Sequence, residues 1–162
     1  MRTTVPAVLS ATLSLSLSLA SAQTAWAQDG VLGRWATPGI SAIVELAACP
    51  GTATLCGTIR WLWDAVDEKG RPRLDSQNSD ASLRARPLLG LVILSGLIAR
   101  QGGGWEGHIY NPEDGQTYRA TLTARGPDIL LVEGCVLFVC RTQTWRKARV
   151  LAQALSAQAL SQ

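Results

Sequence analysis

The stretch "GWEGHIYNPEDGQTYRATL", residues 104–122, decides the fold, because it reads as a β-hairpin in two registers with opposite consequences. Pairing Tyr110 with Gln116 places Glu106, His108 and Tyr110 on one face with Tyr118, Ala120 and Leu122, inside the protein. Pairing Asn111 with Gln116 makes "PEDG" a four-residue loop in which Gly115 can take a positive φ. Trp105, Gly107 and Ile109 then join Tyr118, Ala120 and Leu122 inside, while Glu106 and His108 meet Thr121 and Arg119 outside. Burying Glu106 unpaired would cost several kcal/mol, which favours the second register. The chain's single histidine is therefore expected on the exterior of a hairpin.

Two further hairpins can be registered in the same way, since a one-residue slip sends every side chain to the other face. With Cys49 opposite Cys56, Val44 faces Trp61, Leu46 faces Ile59 and Ala42 faces Trp63 on one side. Glu45 faces Arg60 on the other, an opposite-charge pair of the kind that favours a register. With Cys135 opposite Cys140, Leu130, Val132 and Trp145 share the apolar face, and Glu133, Thr142 and Thr144 go outside with the cysteines. The disulfides expected are Cys49–Cys56 and Cys135–Cys140. Zinc sites of the usual kind use closer cysteine pairs or added histidines, so no metal is expected.

Outward from these hairpins, glycines and prolines divide the chain into short alternating runs, the pattern of an all-β sandwich or barrel. Strands are expected near 32–37, 41–48, 57–64, 90–98, 104–111, 116–124, 128–136 and 139–147. One connection is long: residues 64–87, with a polar centre expected to be mobile. Within it "SDASLRAR" reads as a one- to two-turn helix capped by Ser79 or Asp80 and ended by Pro87. Residues 148–162 form a tail, frayed helix or disordered.

The first segment carries one early charge, Arg2, an apolar run from about Val5 to Ala20, and "AWA" at Ala25–Ala27. It reads as a secretory signal peptide, residues 1–27, cleaved near Ala27. The domain then runs over 28–147, periplasmic or secreted, and four cysteines as two disulfides suit such an oxidising compartment. The run "PLLGLVILSGLIA", 87–99, is too short to span a bilayer and carries two glycines, so no transmembrane span is expected. Lys and Arg outnumber Asp and Glu by only 15 to 12, spread along the chain, which offers no basic stripe for nucleic acid. With His108 outside and every cysteine paired, no nucleophile system is evident. Asp64, Asp67 and Glu68 read as a solvated turn, so no catalytic residue and no cofactor is expected.

The residues that parity sends inward include Trp61, Trp63, Trp105, Tyr118 and Trp145. Arg141 and Gln143 share parity with Trp145 and point inward too. A buried guanidinium needs a partner, either an internal carboxylate or a bound anion held by parallel hydrogen bonds.

"GRW" (Gly33–Trp35), "CGTIRWL" (56–62), "LRARPLLGLVIL" (83–94), "WEGHIYNPEDGQTY" (105–118) and "CRTQTW" (140–145) together resemble a bacterial exported family, domain of unknown function 2147. The match spans about residues 30–147. The resemblance implies an eight-stranded antiparallel lipocalin-like (calycin-type) barrel, cupped at one end, with one short helix in the long loop. Lipocalins carry a G-x-W on the first strand whose tryptophan closes the floor under a basic side chain from the last strand. Gly33 and Trp35 match it. The family tends to have W-T-R where this chain has Trp145-Arg146-Lys147, which leaves the basic partner open, and N-P-D where Asn78-Ser79-Asp80 stands. The function expected is non-enzymatic binding of a small hydrophobic or amphipathic molecule, including one with an anionic head, against Trp35, Trp61, Trp63, Trp105, Tyr118, Arg141, Gln143 and Trp145. The other reading is a structural or interaction module of the cell envelope with a filled core. The oligomeric state is not legible.

Overall fold

Alternation of apolar and polar residues resolves into eight strands in the computed structural model, which describes residues 30–149. They are β1 (Gly33–Ala36), β2 (Ala42–Ala48), β3 (Leu55–Leu62), β4 (Val92–Ala99), β5 (Trp105–Asn111), β6 (Gln116–Ala124), β7 (Ile129–Val136) and β8 (Val139–Lys147). Each pairs antiparallel with its neighbour, and β8 returns to β1, with Lys147 opposite Trp35, so the sheet closes into a barrel. Closure leaves no unpaired edge strand among the described residues. The signal peptide expected over 1–27, and the expected tail beyond Arg149, lie outside the described residues.

An up-and-down barrel sorts its loops by parity. Loops 37–41, 63–91, 112–115 and 137–138 gather at one end, the mouth. Loops 49–54, 100–104 and 125–128 gather at the other, the floor. One core runs between the ends, and Trp35, Val44, Leu46, Leu94, Leu122 and Leu130 are among its fully buried side chains.

The 104–122 hairpin takes the register expected of it: Asn111 opposite Gln116, His108 opposite Arg119, Ile109 opposite Tyr118. His108 is exposed. The β7–β8 hairpin also matches, with Leu130 opposite Trp145, Glu133 opposite Thr142 and Cys135 opposite Cys140. Both expected disulfides form, Cys49–Cys56 and Cys135–Cys140.

The β2–β3 hairpin departs from expectation twice. Cys56 lies opposite Ala47, and Leu46 opposite Gly57, a shift of two residues. The cause is "CPGT": the Thr52 amide donates to the Cys49 carbonyl, Gly51 sits at φ 71°, and Pro50 precedes it. Pro then Gly at the centre of a tight turn fixes the reversal directly after Cys49. A shift of two preserves faces, so Val44, Leu46 and Ile59 remain inside. Glu45 now stands opposite Thr58, yet it still accepts from Arg60 Nε at 2.8 Å and from Arg34 Nε at 3.3 Å.

The second departure matters more. The register slips again between Ile43 and Val44: Val44 pairs with Ile59 but Ile43 pairs with Trp61, leaving Arg60 as an extra residue. Such a bulge reverses parity beyond it. Leu62 turns into the core, and Trp61 and Trp63, expected inside, turn outward at 39% and 72% exposure.

The long connection, whose centre was expected to be mobile, carries two bridges of its own. Bridges Val66–Pro72 and Leu74–Pro87 fold it into a strap over the mouth. Its expected helix is a single 3-10 turn, Ala81–Leu83, capped by Asp80, whose carboxylate accepts from the Ser82 amide.

Candidate functional site

The floor is built on Trp35. Its indole Nε1 donates to the Val31 carbonyl at 2.6 Å, and Lys147 Nζ lies 4.1 Å from the ring centroid. The ammonium also donates to the Gly30 and Leu32 carbonyls at 2.8 and 2.6 Å. A cation over an indole face with two carbonyl acceptors is a satisfied arrangement. Burial pushes the Lys147 pKa down, Arg149 adds to this and Asp128 opposes it. Lys147 is thus the basic partner that the sequence left open.

Above the floor a cavity of about 1210 Å³ opens at the mouth. Its apolar wall comes from Ile59, Leu62, Ile93, Ile109, Val132 and Trp145, one or more from each of β3, β4, β5, β7 and β8. Arg71, Arg73, Glu113, Asp114, Tyr118 and Arg141 supply polar lining. Arg71 and Arg73 are paired with Asp67 and Asp64.

Arg141 differs. It lines the cavity but is exposed, as is Gln143, rather than buried as the sequence led us to expect, and among the described residues it makes no ion pair and no side-chain hydrogen bond. Two residues along the strand, Gln143 accepts from Trp145 Nε1 at 2.9 Å. That bond uses the amide oxygen and leaves the amide nitrogen as a donor. Strand parity sends both side chains to the lumen, so two adjacent donors border an apolar wall.

The strap is locked by Asp75, which is fully buried. Its carboxylate accepts from Tyr110 Oη, from Asn78 Nδ2 at 2.7 Å and from Arg86 Nε at 2.8 Å. Burial pushes its pKa up, but the three donors and the Arg86 charge outweigh this and hold it below the usual value. Burial and then Asp75 raise the Tyr110 hydroxyl, which keeps it a donor. Beside it, Gly115 stands at φ 71°, and any Cβ there would collide with the Gln77 carbonyl. The 112–115 loop and the strap therefore meet backbone to backbone.

Of the residues expected to contact a ligand, Tyr118, Arg141, Gln143 and Trp145 line the cavity. Trp35 and Trp105 are buried core, 0% and 3% exposed, and do not line it. Trp61 and Trp63 stand outside the lumen, and Trp63 borders a separate cleft of about 610 Å³ with Ile40, Arg73 and Leu88. Sequence reasoning missed Asp75, Tyr110 and the strap's contribution to the lining. Glu133, Cys135 and Cys140 lie close enough together to suggest a cation site, but both sulfurs are in the disulfide.

The profile of a family described as "Uncharacterized protein conserved in bacteria (DUF2147)" matches residues 33–147, and the chain belongs to that family. A solved Helicobacter pylori structure described as belonging to the lipocalin family, HP1028, is similar with a TM-score of 0.61 at 22% identity. The similarity covers 72% of this chain and 81% of that one, and it shows the lipocalin-like fold. No curated protein sequence matches the chain.

Proposed function

We propose that this member of the DUF2147 family is a non-enzymatic, exported binding protein that holds one small apolar or amphipathic molecule in its cup, with an acidic head at Arg141 and Gln143. The observation that carries this reading is the pairing of an apolar wall with two neighbouring donors that lack protein acceptors. Ligand pockets are mostly apolar with a few placed polar groups, in volumes of ~300–1,000 Å³, and this cavity is slightly larger at about 1210 Å³. A carboxylate or phosphate would take parallel hydrogen bonds from the guanidinium.

Non-enzymatic action is supported by an exposed His108 and by four disulfide-bonded cysteines. The buried Asp75 carboxylate is saturated by its three donors and offers no free base. Export is supported by the two disulfides; among the described residues no helix is long and apolar enough to cross a membrane.

Titration with a fluorescent long-chain carboxylate and its methyl ester tests the reading. Arg141→Met is expected to weaken the carboxylate by about 10- to 100-fold, the range of one charge-assisted hydrogen bond, and to leave the ester nearly unchanged. Equal effects on both, or no binding of either by the wild type, would count against it. A hydrolase screen comparing the wild type with His108→Ala tests the non-enzymatic part; activity lost with that side chain would overturn it.

A further inference from the structure

The cleft beside Trp63 shares a wall with the cup. Ser41, Leu62, Arg73, Leu88 and Glu113 line both, so a molecule seated in one lies within a side chain's width of the other. The bulge that turns Trp63 out of the lumen furnishes this second space, about 610 Å³ beside the cup's 1210 Å³. The Trp63 ring is 72% exposed. Its amide donates to the Ser41 carbonyl at 2.9 Å, and Trp61 stands edge-on to the ring at 6.1 Å between centroids.

Pairing off the charges that line the two spaces leaves both signs over. Asp67 takes Arg71, and Asp64 takes Arg73 at 3.4 Å. Asp114 accepts from Tyr118 Oη at 2.7 Å and from Asn111 Nδ2 at 2.8 Å. These uncharged donors fill its lone pairs and leave its charge. Glu113 borders both spaces, and among the described residues its carboxylate makes no ion pair and no hydrogen bond. Arg141 lines the cup without a carboxylate partner. One cation on β8 and two carboxylates on the 112–115 loop therefore stand uncompensated. Glu113 shares its cleft with an open tryptophan ring.

We propose that the cleft is a second subsite of the same ligand site and takes an ammonium group, so that the molecule held is a zwitterionic amphiphile. Its chain lies along Ile59, Ile93, Val132 and Trp145, its anionic group meets Arg141, and its ammonium sits between the Trp63 ring and Glu113. An indole face attracts an ammonium through the ring quadrupole, most strongly a quaternary one. The Glu113 carboxylate adds a second attraction, partly screened by solvent. A second anionic group there would meet Glu113 and Asp114 with no free guanidinium, because Arg73 is engaged by Asp64. The inference rests on the cup's being a ligand site and adds the second charge to it.

Calorimetric titration with two matched probes tests it, each kept below its micelle-forming concentration. One is dodecylphosphocholine; the other is dodecyl 3,3-dimethylbutyl phosphate, in which carbon replaces the ammonium nitrogen. The phosphocholine is expected to bind about 5- to 30-fold more tightly, the range of one cation–π contact with a screened charge beside it. Glu113→Gln and Trp63→Ala, both at exposed positions, are each expected to cut that preference several-fold, and the double variant to abolish it with circular dichroism unchanged. Arg141→Met is expected to weaken both probes alike. Equal binding of the two probes by the wild type would overturn the ammonium subsite while leaving the cup's ligand reading in place. So would a preference that survives in the double variant. Binding of neither probe would overturn both readings together.

Discussion

Two hairpins in this barrel carry the same cross-link and opposite tips. At the floor, Cys49–Cys56 encloses "PGTATL", where the Thr52 and Thr54 hydroxyls bond each other at 2.8 Å. At the mouth, Cys135–Cys140 encloses "VLFV", every residue apolar and every one more than half exposed. Chain-entropy arguments make the two bonds nearly equal in stabilisation, so stability does not explain the difference. It matches the difference between the ends. The floor satisfies its polar groups internally, as Trp35 and Lys147 show. The mouth leaves the exposed Arg141 without a protein acceptor and hydrophobic side chains in water, the signature of surfaces that meet something else.

That contrast is open to breaking. Trp35→Ala should have the largest effect, about 3–5 kcal/mol of unfolding free energy as for large core truncations, measured by urea denaturation. Asp75→Ala should cost about 3–5 kcal/mol, because Arg86 is left without its partner, although it lies at the mouth. A loss of that size would show the mouth's strap to be as firmly built as the floor. The sign of its pH dependence follows from a folded pKa below the usual value. Its stabilisation is complete above the unfolded value of ~3.9 and is lost as pH falls through the folded value. The stability gap between wild type and Asp75→Asn should therefore narrow on acidification below about pH 4. A gap that widens there would contradict the assignment.

Removing either disulfide by a double Cys→Ser change should cost roughly 2–2.5 kcal/mol, and the two losses should match within their errors. A much larger loss at the mouth would mean that its tip is structural. The smallest effect belongs to Leu137→Ser with Phe138→Ser, within about 0.5 kcal/mol of wild type in thermal or urea unfolding, since both side chains already lie in water.

How much of this was legible depended on what set each register. In β5–β6 and β7–β8, a polar loop and a cystine directly across the strands agreed with the apolar pattern, so both hairpins could be read residue by residue. In β2–β3 the Pro50–Gly51 turn overrode the cystine, and the bulge at Arg60 inverted everything after it. Parity presumes an unbroken strand, so Trp61 and Trp63 were expected in the lumen although they sit on the outer face. A signal did exist: with Arg60 outward, a regular strand would place Leu62 outside between two inward tryptophans. Asp75 could not be told from Asp64, Asp67 or Asp80, because its burial comes from the strap folding onto Tyr110, a contact 35 residues away in sequence. The cavity-lining Tyr118, Arg141, Gln143 and Trp145 were accessible because they lie on the two well-registered hairpins.

Native mass spectrometry of protein purified from its own host, wild type beside Gly134→Leu, tests the cup most directly. The account predicts a discrete adduct on the wild type that is released on denaturation and missing from the variant, whose leucine occupies the lumen beside Ile109. A bare wild-type mass, or an adduct equally present on both proteins, would contradict it.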